Sequence, residues 1–165
     1  MDYIREAENK LKEYKLLERS LDNMAAEISK LKWMGAPRDT GAMRLDTLGI
    51  HGGMKENDAF SIACAIAYCK ETRIMNQREI QRINVNLNQI SRELGKEDYG
   101  ELLRLWYIGK REKDPETGIL DYRKVSVEEI CETLKYSAES RRYFYERKKD
   151  AMRKFAKVYW GVRVN

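Results

Sequence analysis

From residue 2 to residue 33 the chain has no glycine and no proline, and its apolar side chains fall at Ile4, Ala7, Leu11, Tyr14, Leu17, Leu21, Met24, Ile28 and Leu31. Every step is three or four residues, close to the repeat that keeps one seam of a helix facing a partner. The pattern predicts one long helix over 2–33, ended by Gly35, Ala36 and Pro37. Its seam needs a second helix, in this chain or in another copy. Residues 58–94 predict that second helix, capped by Asn57 or Asp58. One side of its first part is apolar through Phe60, Ala63, Ile66 and Ala67; its later part carries Ile80, Ile83, Leu87, Ile90 and Leu94, with Gly95 as a natural stop. Two long seams joined by a loop predict an antiparallel helical hairpin, a domain of residues 1–95 with the means to form a homodimer.

The joining loop, residues 38–57, holds Gly41, Gly49, Gly52, Gly53 and the single histidine, His51. Its glycines match neither the dinucleotide nor the P-loop spacing, and the strand those motifs follow is missing. His51 has no acidic or cysteine companions at ligand spacing, so neither a metal nor a cofactor is expected. The chain also lacks paired carboxylates and a Ser/His/Asp or Cys/His set, which argues against an enzyme. The longest apolar run, residues 59–68, is interrupted by Ser61 and is too short for a membrane span. Two prolines in 165 residues disfavour an all-β sandwich, and 36% charged residues suit amphipathic helices. Three cysteines without a CxxC pair, and a charged N-terminal helix instead of a signal, point to a reducing cytoplasm.

The net charge of +5 is unevenly placed. Residues 1–100 are balanced, whereas residues 101–165 hold 16 basic and 11 acidic groups. Residues 137–165 alone hold nine basic and three acidic groups, a net +6, which predicts a polyanion partner. The same region predicts a short helix over 97–108, a polar loop over 109–124 with a small strand or turn near Tyr122, a fourth helix and a fifth. Ser126 and Glu129 form a capping box opening the fourth, on which Val127, Ile130 and Leu134 face inward. Ser137 or Ser140 caps the fifth, which runs to about Trp160. Phe144, Ala151, Phe155, Val158 and Tyr159 form its apolar stripe, and Arg142, Lys149 and Arg153 fall on the opposite side. A short helix, a turn and a longer basic helix with a separate apolar face form a helix-turn-helix pattern, assigned to residues 96–165. Such a helix places its N-terminal side chains over base edges in a major groove about 12 Å wide and its later ones over phosphates. Ser140, Arg141, Arg142, Tyr143 and Glu146 are therefore the expected groove-floor residues. Lys149, Arg153 and Lys157 are the expected phosphate contacts, with Lys110, Arg111 and Lys113 as a second backbone contact.

Residues 102–108, 127–137 and 140–156 together resemble region 4 of bacterial sigma factors. They are more similar still to the sigma-like phage and prophage regulators of the ArpU and RinA type. Ser140, Phe144, Lys148, Ala151, Met152, Phe155 and Ala156 match that group's recognition-helix pattern. The resemblance covers about residues 99–160 and implies a DNA-binding activator of phage late genes that works with host RNA polymerase. Two departures stand out: the turn over 135–140 is three residues longer and lacks the small, glycine-like position of sigma region 4, and the loop over 109–124 is long. The alternative reading is a DNA-packaging or scaffolding protein like the small terminase subunits, which also join a helix-turn-helix to a helical hairpin but assemble into rings. Mass in solution separates the two.

Overall fold

The structure, a computed structural model, describes residues 2–35, 56–92, 98–113, 115, 120–136 and 141–161. The expected loop with His51, the end of the second helix at Leu94 and Gly95, and the capping candidates Ser137 and Ser140 lie outside these residues. The described chain is mostly helical: α1 (Tyr3–Gly35), α2 (Glu56–Ser91), α3 (Tyr99–Leu103, continued by a π-helical turn, Arg104–Ile108), α4 (Val127–Thr133) and α5 (Arg141–Trp160). The one sheet among these residues is a two-stranded hairpin, β1 (Lys110–Lys113) with β2 (Leu120–Arg123), antiparallel and in register from Lys110 opposite Arg123 to Lys113 opposite Leu120. The chain divides into two compact units, residues 1–17 with 78–165, and residues 18–77.

The larger unit has one core. Leu11 from α1 and Ile83, Leu87 and Ile90 from α2 are fully buried in one cluster with Leu102, Leu103, Ile130, Phe144, Phe155 and Tyr159. The boundary expected near residue 95 falls inside this unit. The seams at the start of α1 and the end of α2 bury against the helix-turn-helix part and not only against each other. Polar contacts secure the same helices. Asn84 Nδ2 donates to Tyr14 Oη (2.9 Å), and Arg104 donates to Asn84 Oδ1 (2.7 Å) and Asn88 Oδ1 (2.9 Å). The Asn-rich face of α2 is thus a socket for one arginine. At the far end of α5, Arg82 lies 4.2 Å from the Tyr159 ring centre and donates to the Tyr159 carbonyl (2.7 Å), which satisfies one of the carbonyls that a helix end leaves open. The Tyr159 hydroxyl pairs with Glu79, which also meets Lys10 (3.5 Å). Burial, and then the Glu79 carboxylate, push the Tyr159 phenol well above its usual range.

The smaller unit is a two-helix hairpin. Asn76 Nδ2 donates to Ser20 Oγ (2.7 Å), while Gly35 faces Ile62, so α1 and α2 run antiparallel here. Ile28 and Cys69 are its buried apolar residues. The early apolar side of α2 is a point of difference from the sequence expectation. Of Phe60, Ala63, Ile66 and Ala67, only Ile66 is withdrawn from solvent; Ile62, Ala65, Ile66 and Cys69 form the inward row.

Two glycines set the path into the helix-turn-helix part. A Cβ on Gly100 would overlap the Leu87 carbonyl oxygen and Ser91 Oγ, so the first turn of α3 sits directly on the last turns of α2. Gly109 ends the π-helical turn: its N–H donates to the Arg104 carbonyl (2.8 Å), and its φ of 87° is open to glycine and strained for other residues. Gly100→Ala is expected to destabilise the protein by about 1–3 kcal/mol, because backbone must move to admit the methyl group. Urea unfolding measures this as a lower midpoint at unchanged slope.

Candidate nucleic-acid interface

Helix α4 is bounded at both ends by satisfied backbone groups. The Glu129 N–H donates to Ser126 Oγ (3.1 Å), the serine half of the expected capping box, while the Glu129 carboxylate is taken up by Arg123. At the other end the Tyr136 N–H donates to the Cys131 carbonyl (2.8 Å) and the Lys135 N–H to the Glu132 carbonyl (3.2 Å). This pair of bonds is a Schellman motif with Lys135 at the left-handed position, φ 55°. The missing turn glycine thus has a structural counterpart: a lysine holds the conformation that glycine adopts without strain. Residues 137–140, including the expected groove residue Ser140, lie outside the described part.

Helix α5 sorts its residues cleanly by angle. Phe144, Ala151, Met152, Phe155, Ala156 and Tyr159 are buried, whereas Arg142, Glu146, Lys149, Arg153 and Lys157 form an exposed row at steps of four and three. Tyr143 and Tyr145 are about half exposed, on either side of fully buried Phe144. Arg142 donates to Glu146 (2.9 Å) and Arg141 to Glu128 on α4 (2.8 Å), both in exposed pairs. Such pairs contribute only about 0.2–1 kcal/mol and yield readily to a competing anion. Among the described residues no ion pair engages Lys149, Arg153 or Lys157. Beside this row runs a shallow cleft of about 490 Å³, lined by Tyr99, Tyr143, Glu146, Arg147, Lys149, Asp150 and Arg153.

Three cations of the basic tail face inward and have other work. Arg147, with its side chain 20% exposed, pairs with Asp98 and lies 4.8 Å from the Tyr99 ring, 5.6 Å from Tyr136 and 5.7 Å from Tyr143. It therefore ties the start of α3, the turn after α4 and the first half of α5 together. Lys148 Nζ sits 4.3 Å over the Trp106 ring, and burial lowers its pKa against the opposing pull of Glu8. Lys154 lies 5.6 Å from the Tyr99 ring. Sequence periodicity singled out neither Arg147 nor Asp98 as a structural pair. The two are 49 residues apart, and no local pattern links them.

The expected second contact is arranged differently from a loop. Lys110, Arg111 and Lys113 are exposed residues of β1, and strand alternation turns Lys110 to the face opposite Arg111 and Lys113. Lys110 approaches Glu112 (3.8 Å); Arg111 stands 5.8 Å from the Tyr122 ring, which Lys15 of α1 also approaches at 5.6 Å. The hairpin is fastened to α4 through Arg123, which donates to Glu112 (2.9 Å) and Glu129 (2.7 Å). These bonds hold both carboxyls below their usual range. Among the described residues no cluster of His, Cys, Asp and Glu is arranged to hold a metal ion, and no helix is long and apolar enough to cross a membrane.

Lys135→Gly is expected to stabilise the protein, since the left-handed strain of roughly 1–2 kcal/mol disappears and the added unfolded-state entropy of glycine offsets only about 0.4–1 kcal/mol of it. Lys135→Val is expected to destabilise it; thermal melts of the two variants give the sign of each. Arg147→Ala, which leaves Asp98 withdrawn and unpaired, should lower stability by about 2–4 kcal/mol. Arg153→Ala, on the exposed row, should stay within about 0.5 kcal/mol of the parent in the same melts.

No protein-family model, curated protein or solved structure matches this chain, so its residues and their geometry carry the functional argument.

Proposed function

We propose that this protein is a sequence-specific duplex-DNA-binding regulator, of the kind that activates late genes of a phage or prophage in a bacterial cytoplasm. In this reading α4 and α5 are its helix-turn-helix, α5 is the groove helix, and host RNA polymerase is the protein partner. The observation that carries the reading is the exposed row of α5. Lys149, Arg153 and Lys157 stand outside any ion pair on the side opposite a buried stripe, so the helix presents positive charge along about two turns while remaining anchored. Arg141, Arg142 and Tyr143, at the start of the helix, then approach base edges, and the later cations meet phosphates. Arg142 is the guanine reader, because its planar fork matches the O6 and N7 acceptors. Its exposed bond to Glu146 is weak enough to exchange for a base. Arg147, Lys148 and Lys154 contribute by fixing the helix, not by touching DNA. The arrangement requires neither a cofactor nor a catalytic group.

Selection from a random duplex pool, followed by titrations across salt concentrations, tests this reading. Four to six phosphate contacts predict a log–log salt slope of about −4 to −5. A slope shallower than about −1.5 on every duplex would remove the DNA-binding reading. Arg142→Ala is expected to cost about 1–3 kcal/mol on the selected site and to relax preference at one base pair. Arg153→Ala is expected to weaken all duplexes alike and to reduce the slope by about 1. Equal losses on selected and scrambled duplex for Arg142→Ala would show that the helix docks in another register.

A further inference from the structure

Arg142 and Glu146 stand one turn apart on α5, on the side of the helix opposite fully buried Phe144 and Phe155, with side chains 87% and 63% exposed. Their bond joins Arg142 Nε to one oxygen of Glu146 at 2.9 Å. Among the described residues nothing else engages either side chain, so both terminal amino groups of the guanidinium and the second carboxylate oxygen are open. The bond also measures reach: from neighbouring positions on the helix, the two tips arrive at one place in space. A guanidinium fork beside a carboxylate offers, in order, donor, donor and acceptor.

We propose that Arg142 and Glu146 read one G·C base pair as a unit, Arg142 donating to guanine O6 and N7 and Glu146 accepting from the exocyclic amine of the cytosine. The inference rests on the duplex-DNA reading, with α5 as the groove helix. Across its major-groove edge a G·C pair shows acceptor, acceptor and donor, in the order N7, O6 and N4. O6 and N4 are joined by a base-pairing hydrogen bond and so lie about 3 Å apart, close to the 2.9 Å of the Arg142–Glu146 bond. An A·T pair shows acceptor, donor and acceptor, which sets part of the fork against a donor and the carboxylate against an acceptor. The exchange must also leave no charge stranded. If Arg142 alone moved to guanine, the Glu146 carboxylate would stay behind, unpaired between phosphates and partly desolvated, at a cost in both repulsion and lost hydrogen bonding. The cytosine amine is the donor of that base pair that satisfies it. Arg141 has no such companion on α5, since its carboxylate partner is Glu128 of α4.

The test titrates the full chain, Glu146→Gln and Arg142→Ala on the selected duplex, on each of its single-pair variants and on scrambled duplex. Glutamine both donates and accepts, so it no longer discriminates as an acceptor-only carboxylate does. In either variant, preference for G·C over A·T is expected to fall roughly 5- to 150-fold, at one position, the same for both. A second readout needs no variant of the parent chain: a duplex with pyrimidin-2-one in place of that cytosine lacks the exocyclic amine. The parent chain should lose more affinity for this duplex than Glu146→Gln does. A carboxylate that only repels phosphates would give a different result, with Glu146→Gln binding selected and scrambled duplex more tightly by one factor and keeping every preference. That result overturns the proposal, as does relaxation at a position other than the one Arg142 sets, or equal losses of both chains on the amine-free duplex. In each of these cases duplex binding itself still stands. A salt slope shallower than about −1.5 on every duplex removes the DNA-binding reading, and this proposal with it.

Discussion

Helix α5 is held by burial along one side and by a partly buried ion pair at its rim, and the rest of the larger unit is organised around that arrangement. Phe144, Ala151, Phe155 and Ala156 are fully buried, which fixes the rotation of the helix about its axis. Fully burying an aromatic or large aliphatic side chain is worth about 1.5–3 kcal/mol, far more than the exposed pairs Arg142–Glu146 and Arg141–Glu128 contribute. Rotation is therefore set by the core, and the exposed row follows as a geometric result. Arg147 adds what burial alone lacks: a polar tie to Asp98 and three tyrosine rings that fixes the position of the helix start.

The division of labour among the basic residues follows from the same constraint. Charge counted along the sequence overstates what the surface offers a polyanion, because Arg147 is neutralised and Lys148 is drawn into a pocket of Trp106, Tyr107 and Tyr145. The remaining cations are fewer but aligned. The hairpin adds cations of a different sort, since Lys110 and Arg111 point to opposite faces of a strand that Arg123 fastens to α4.

Much of the helical part was legible because a strong apolar period states which side is buried. The α1 positions Ala7, Leu11, Tyr14 and Ile28 are buried as the stripe required, as are Ile83, Leu87 and Ile90 on α2 and Phe144 and Phe155 on α5. Tertiary choices left no such mark. Period alone does not say which of two apolar sides of α2 faces α1, and Phe60 turned outward. The division near residue 95 was misplaced because a seam records that it is covered, not by which neighbour. The strand near Tyr122 was legible as a strand or turn, whereas its partner around Arg111 was hidden because a four-residue strand of charged residues has no alternation of apolar and polar residues. Lys135 took the turn conformation although its residue type does not favour it, and Arg147 met Asp98 across a sequence distance that no local rule spans. The exposed row itself, Arg142, Lys149, Arg153 and Lys157, was readable as the complement of the buried stripe.

The π-helical turn at Arg104–Ile108 has a consequence for how this part of the chain tolerates change in length. A turn closed by a bond from Gly109 to Arg104 holds one residue more than an α-helical turn would. Each residue of an α-helix adds about 1.5 Å of travel along its axis, with a rotation of about 100°. Removing one residue here would let the backbone close as an ordinary α-helix, yet everything after it would be swung by nearly a third of a turn. Trp106 would leave its place against Phe144, and Gly109 would no longer deliver β1 to the position from which Arg123 reaches α4. The extra residue acts as a phase setting: one helix feeds both a core contact and a hairpin that call for different angles.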